Sequence, residues 1–158
     1  GGEGATQAQE GGEEEEGESL LAARKAIKNM GDGANAAVFL SMLKFAKSTL
    51  KSALKSSGGE QSGVAANLIL EIESVAPLAT PTKAQELLQG SYTVLTQDHW
   101  GVGLALEINE GNWESAGPSA IRFQGAAYNI TYLDQDMLIL RGVTQGEKAM
   151  ANVLSKTG

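Results

Sequence analysis

With 158 residues, 20 Gly, 3 Pro, no Cys and a net charge of −7, the chain is sized for one ordinary domain with extensions. The lack of cysteine excludes a disulfide framework, a thiol nucleophile and thiolate zinc sites, and the single His99 leaves little for histidine-built metal or relay chemistry. No apolar run reaches the roughly 18 residues of a membrane-spanning helix, so a soluble or peripheral protein is expected, with any targeting leader already removed.

Charge is distributed in three blocks. Residues 1 to 23 hold seven glutamates and no base, net −7; residues 24 to 55 hold seven bases against Asp32, net +6; residues 56 to 158 hold five bases against eleven acids, net −6. A basic stretch bracketed by acidic ones argues against nucleic acid as a partner. Residues 1 to 18 form a Gly/Glu-rich acidic tail whose first 17 residues hold no large apolar side chain. Such a segment cannot offset its ordering entropy alone. It reads either as an arm that lies on a basic partner or on the block that follows, or as a solubilising tail.

Residues 19 to 89 read as helical. Leu20, Ala23, Ile27 and Met30 recur at helical spacing between Ser19 and Gly31. Asn35 then caps a longer helix over 36 to 56, where Phe39, Met42, Leu43, Ala46, Leu50, Ala53 and Leu54 share one face. Lys44, Lys47, Lys51 and Lys55 form a separate stripe, and Phe45 falls outside the apolar one. A basic amphipathic helix suits an anionic membrane or an acidic protein, and equally a domain helix with a solvated lysine edge. Gly58-Gly59 breaks the chain, Val64 to Ala76 resumes a helix stopped by Pro77, and Thr82 with Gln85 reads as a capping box for a short helix ending at Leu88.

After Gly90 the period changes to two. Ser91–Thr96, Val102–Asn109, the Ile121/Phe123 pair, Tyr128–Leu133 and Met137–Leu140 read as about five strands, so the fold class is α+β, with three to four N-terminal helices followed by the strands. Asp134-Gln135-Asp136 supplies turn residues, Gly101-Val102-Gly103 reads as close strand packing, and Met150, Val153 and Leu154 read as a helix over Glu147 to Lys156.

Two runs carry a family resemblance. Ile72-Glu73-Ser74-Val75-Ala76-Pro77-Leu78-Ala79-Thr80-Pro81-Thr82, continuing into Glu86 to Leu95 with Gly90 and Tyr92, resembles the opening of the plastid lipid-associated protein (fibrillin) domain. Ile130-Thr131-Tyr132-Leu133-Asp134-Gln135-Asp136-Met137-Leu138-Ile139-Leu140-Arg141-Gly142 resembles its closing segment. The resemblance implies a lipocalin-like β region over 90 to 158, with Gly90, Tyr92, Tyr132, Asp134, Asp136, Arg141 and Gly142 as structural signature residues. Only 34 residues separate Thr96 from Thr131, far fewer than in the family, so an incomplete, open or flattened sheet with exposed edges is expected, without closure by a last strand.

No catalytic constellation emerges. Asp98 and His99 are sequence neighbours at a strand end and would point to opposite faces. Asp134-x-Asp136 could hold a divalent cation, or could serve its own turn backbone; no metal site is expected. Gly101-Val102-Gly103 lacks the third glycine of a dinucleotide loop, and Asn129-Ile130-Thr131 is a formal glycosylation sequon that would mean nothing in a plastid. Trp100, Trp113 and Tyr128 are candidates for lipid, carotenoid or chlorophyll contact at an interface, with core packing as the alternative. Arg122 and Arg141 could anchor anionic groups or pair with Asp134, Asp136 or Glu107.

The resemblance implies a non-enzymatic plastid protein at the thylakoid or plastoglobule, requiring no cofactor. Unpaired sheet edges and the basic helix, with Phe39, Phe45 and the four lysines as docking residues, favour a peripheral structural subunit of a thylakoid membrane complex, plausibly photosystem and antenna proteins, in contact with membrane lipids. The alternative is a free-standing lipid or isoprenoid carrier of stroma or plastoglobules.

Overall fold

The structure is a computed structural model and describes residues 33–75, 81–143 and 149–157, with side chains from 37 to 74 and again from 84. The acidic tail, the helix expected over Ser19 to Met30 and the side chain of Thr82 lie outside the described residues. Of the described residues, 33–53 and 62–75 form one compact unit, and 54–61, 81–143 and 149–157 form the other.

Helix α1 spans Gly33–Ser57, so Asn35 lies within it rather than capping it. Its alanines, leucines and lysines are strong helix formers, and it holds no proline or acid. Ala46, Leu50 and Leu54 are fully buried, with Phe39, Met42, Leu43 and Ala53 half-buried on the same face. The helix ends in a Schellman turn: the Gly58 N–H bonds the Lys55 carbonyl at 3.4 Å and the Gly59 N–H bonds the Leu54 carbonyl at 2.8 Å, with Gly58 at φ +68. Helix α2, Val64–Val75, buries Ala65, Leu68, Ile69 and Ile72 at helical spacing. Helix α3, Pro81–Leu88, is two turns long.

Seven strands follow: β1 Gly90–Val94, β2 Ala105–Ile108, β3 Trp113–Gly117, β4 Ala120–Phe123, β5 Ala126–Leu133, β6 Met137–Gly142 and β7 Ala151–Lys156. They form one antiparallel sheet in the order β2-β1-β7-β6-β5-β4-β3. The two edge strands, β2 and β3, are consecutive in the chain. The five Cα steps from Ile108 to Trp113 reach at most about 19 Å, whereas the edges of a flat seven-stranded sheet would stand about 29 Å apart. The sheet must therefore curl, and it forms an open half-barrel. The link is itself a tight turn: the Asn112 N–H bonds the Asn109 carbonyl at 3.1 Å, and Asn109 Oδ1 accepts the Gly111 N–H. Among the described residues no ladder joins β2 to β3.

The five expected strands thus become seven, and the sheet is curled, not flattened. The helix expected over Glu147 to Lys156 is overturned: Ala151 to Lys156 is the strand β7, paired with both β1 and β6. Ala151, Asn152, Val153 and Leu154 are all buried, so the segment lacks the alternation that marks a half-buried strand, as is usual for strands covered on both faces. Strand β3, sequence WESAG, was not expected because it too shows no apolar alternation. The Val102–Asn109 strand shrinks to Ala105–Ile108, since Gly101 to Leu104 closes a turn in which the Leu104 N–H bonds the Gly101 carbonyl at 3.1 Å and Val102 and Leu104 are exposed. Gly103 faces open space there, so it is a turn glycine and not a site of close packing.

One face of the sheet carries Tyr92, Val94, Leu106, Ile108, Ile121, Phe123, Tyr128, Ile130, Leu138, Leu140 and Leu154, which form a single core cluster with Leu88 and Trp100. The registers Tyr92↔Leu106, Ile121↔Tyr128, Ile130↔Leu140 and Leu138↔Leu154 place them side by side on the inner face. Large side chains therefore fill much of the half-barrel, as in other small barrels. The opposite face of β5 to β7 is buried as well, through Tyr132, Met137, Ile139, Ala151 and Val153.

Candidate functional site

The signature residues of the first run fasten α3 to the sheet. The Tyr92 hydroxyl donates to the Leu88 carbonyl at 2.5 Å, and Lys156 Nζ donates to the Leu87 carbonyl at 2.6 Å, so two carbonyls orphaned at the helix C-terminus find partners, one of them a cation. The stem of Lys156 crosses Gly90, whose φ is +150 and whose added Cβ would lie 2.4 Å from Lys156 Cε. Gly90 is thus a glycine for its backbone, while the end of the Lys156 side chain could give way to a Cβ.

The second run closes the β5–β6 hairpin. Asp134 Oδ1 accepts the N–H groups of Asp136 at 2.7 Å and Met137 at 2.8 Å, and Oδ2 accepts the hydroxyl of buried Tyr132. Asp136 is exposed, and its carbonyl accepts the Lys156 N–H at 2.8 Å. Arg141 Nη1 donates to the Ala149 carbonyl at 2.6 Å, and Gly142 ends β6 opposite Tyr128. Among the described residues no group of three or more His, Cys, Asp or Glu could hold a metal ion.

Of the three candidate aromatics, the structure brings two together. Trp100 is buried in the loop after β1, its ring 5.5 Å from Tyr128 and 6.2 Å from Phe123. His99 packs edge-on at 5.0 Å from Trp100. Asp98 and His99 both lie exposed in this loop and not on a strand. The Trp100 indole N–H donates at 3.0 Å to Oε1 of Gln124, the one described non-glycine residue at positive φ (+55). Gln124-Gly125 makes the two-residue β4–β5 turn, where positive φ is required and asparagine or glycine is the usual choice. The hydrogen bond to Trp100 accompanies that departure.

Trp113 stands apart on the β3 edge, half-buried, with its indole N–H out of water and without a partner among the described residues. It lines an apolar cavity of about 370 Å³ between α3 and the β3–β4 hairpin, with Ala84, Leu88, Pro118, Ile121 and Ile130. A second cavity, of about 630 Å³, is bordered by Asp98, His99, Arg122, Tyr128, Gly142 and Asn152. Volumes of this size are typical of small-molecule sites.

The residues expected to dock lie on α1. Lys44 and Lys55 are exposed, Lys47 and Lys51 half-buried, and Phe39 half-buried with the apolar stripe. Val38, Leu40 and Phe45 are 55, 60 and 62 % exposed on a helix that holds no acid. Among the described residues, no helix is long and apolar enough to cross a membrane.

All three tyrosines resist ionisation. Burial, then the Asp134 carboxylate, raises Tyr92; burial, then the Asp134 hydrogen bond and the Asp134 and Asp136 charges, raises Tyr132; burial, then Asp98, raises Tyr128. Unfolded phenols ionise near 10.0, so stability is intact below that pH and declines as pH climbs above it toward the folded values. A pH titration is expected to show the phenolate absorbance rising cooperatively with loss of far-ultraviolet circular dichroism. A smooth titration near pH 10 with the fold intact would contradict the burial of these hydroxyls.

Sequence reasoning did not single out Gln61, Gln124, Asn152 and Lys156. The Gln61 carboxamide grips both the N–H and the carbonyl of Ala151, at 3.2 and 2.5 Å across 90 residues, a pairing with no local signal. Of these, Gln124 had a local signal, since Gln124-Gly125 lies between two alternating runs. No family model, no curated protein and no solved structure matches the chain.

Proposed function

We propose that the chain is a non-enzymatic protein of the plastid lipid-associated (fibrillin-like) kind that docks as a peripheral structural subunit on a thylakoid membrane complex of photosystem and antenna proteins, touching lipid or pigment there. The observation that carries this reading is the open face of α1: four lysines, no acid in 25 residues, and Val38, Leu40 and Phe45 presented to solvent. Exposed apolar side chains beside lysines suit an anionic headgroup layer, where each lysine contributes about 1 kcal/mol. The lipocalin-like character rests on the two sequence runs together with the curled sheet, and the side chains filling that sheet favour docking over bulk carriage.

Changing Lys44, Lys47, Lys51 and Lys55 to Glu is expected to weaken cosedimentation with thylakoid membranes by about tenfold or more at low salt and to remove its salt sensitivity. Attachment unchanged in that variant would sink the proposal. A second reading, a free-standing lipid or isoprenoid carrier, is favoured by the apolar cavity beside α3. It predicts a monomer, soluble without detergent, that carries lipid stoichiometrically.

A further inference from the structure

The lysines of α1 are more tightly grouped than a basic helix requires. At about 3.6 residues per turn and about 1.5 Å per residue, Lys44, Lys47, Lys51 and Lys55 fall within an arc of about 80° and along about 17 Å of the helix. Lys44 and Lys55 are exposed, Lys47 and Lys51 half-buried, and Leu40, 60 % exposed, falls inside the same arc. Helix α1 holds no acid, and α2 holds only Glu71 and Glu73, so four lysines against two glutamates leave the two helices at net +2.

The chain carries one segment whose charge matches this stripe. Glu10, Glu13, Glu14, Glu15, Glu16 and Glu18 fall within nine residues that hold no base, and Glu13 to Glu16 is the only run of adjacent acids in the sequence. Fifteen Cα steps join Glu18 to Gly33, a reach of up to about 54 Å, whereas all of α1 is about 38 Å long. The tether therefore permits contact with every lysine of the stripe. A single exposed ion pair contributes little, but six carboxylates tethered to four ammonium groups act together at an effective concentration on the order of millimolar. We propose that residues 10–18 lie along the Lys44, Lys47, Lys51 and Lys55 stripe and compete there with an anionic lipid surface. The competition rests on the membrane docking proposed above; the contact within the chain does not. Residues 1–17 hold no large apolar side chain, so this segment neutralises the lysines and leaves Val38, Leu40 and Phe45 uncovered. An anionic bilayer satisfies both the charge and the apolar side chains, and so displaces the segment. The acidic residues thus keep α1 from weakly charged surfaces.

The test uses the full chain and has two readouts. A water-soluble carbodiimide joins a carboxylate to an amine only where the two touch, and mass spectrometry of the monomer at low salt is expected to find residues 10–18 linked to the α1 lysines. Salt of about 0.5 M should abolish these links. Flotation with vesicles of phosphatidylcholine and phosphatidylglycerol then compares the parent with a variant carrying Glu→Gln at 10, 13, 14, 15, 16 and 18, a change confined to residues outside the two helices. The variant is expected to bind roughly tenfold more tightly, with the largest difference at the lowest phosphatidylglycerol content. Absence of links to α1, or links confined to Lys25 and Lys28, overturns the contact. Links to α1 with equal vesicle binding by parent and variant overturn the competition. If neither form binds vesicles, the membrane reading fails and the links alone decide whether the segment lies on the stripe.

Discussion

Replacing Gly59 with alanine is expected to destabilise the protein by about 3 to 4 kcal/mol, the sum of a strained backbone and an overfilled contact. Gly59 has φ +91, a conformation L side chains rarely adopt. An added Cβ would lie 2.4 Å from Val102 Cγ2, 2.9 Å from the Gln97 nitrogen and 3.2 Å from the Leu95 carbonyl oxygen. Val102 is exposed and can swing away, but the other two are backbone. The Gln97 N–H also donates to the Gly59 carbonyl at 2.9 Å, so moving it breaks the bond that ties the end of α1 to the loop after β1. Gly58 is the internal control: φ is +68, yet nothing lies within 4 Å of its added Cβ. Gly58→Ala should therefore cost only about 1 kcal/mol, the conformational part alone. Thermal unfolding separates the two, with Tm falling by about 10 °C for Gly59→Ala and by a few degrees for Gly58→Ala. Equal shifts at the two positions would show that the steric contact is not what selects glycine at 59.

Asp134→Ala is expected to cost about as much, about 3 kcal/mol, by a different route. The carboxylate accepts two N–H groups and the Tyr132 hydroxyl, and both Met137 and Tyr132 are almost fully buried. Alanine takes this acceptor from the Met137 N–H and the Tyr132 hydroxyl in a place with little access to water, at about 1 to 3 kcal/mol for each hydrogen bond lost. Asparagine keeps a carbonyl oxygen for the turn, and its amide can donate to the phenol, so Asp134→Asn should lose only about 1 kcal/mol. Tyr132→Phe and Asp134→Ala remove the same hydrogen bond, and urea unfolding should show the double variant losing less than the two single losses combined. Strict additivity would mean that Tyr132 and Asp134 are not energetically coupled.

Legibility from the sequence followed local physics. The long basic helix, the helix from Val64 and the strands at Ser91, Ile121 and Tyr128 were legible because each alternates apolar with polar positions, and Met137 to Leu140 was legible as a short apolar run between the Asp134 to Asp136 turn and Arg141-Gly142. Strand β7 was not, because Ala151 to Leu154 is covered on both faces and spaces Met150, Val153 and Leu154 as a helix would. Only its ladders to β1 and β6 define it, and the first of these joins residues far apart in the chain. Val102 and Leu104 alternate correctly and yet face solvent, since the Gly101 and Gly103 turn outweighs the pattern. At the candidate sites, Trp100, Trp113 and Tyr128 were legible as amphipathic aromatics. Asn152 was not, because its burial and its bond to the Leu140 carbonyl depend on which neighbours the register assigns to it.

The short turn between Ile108 and Trp113 makes the half-barrel a clasp. Its two rims are hinged to one another by four residues, so the sheet can breathe only as far as that hinge extends, with an upper bound of about 19 Å at the joined end. Any widening of the half-barrel is therefore confined to the ends of the rims away from that turn.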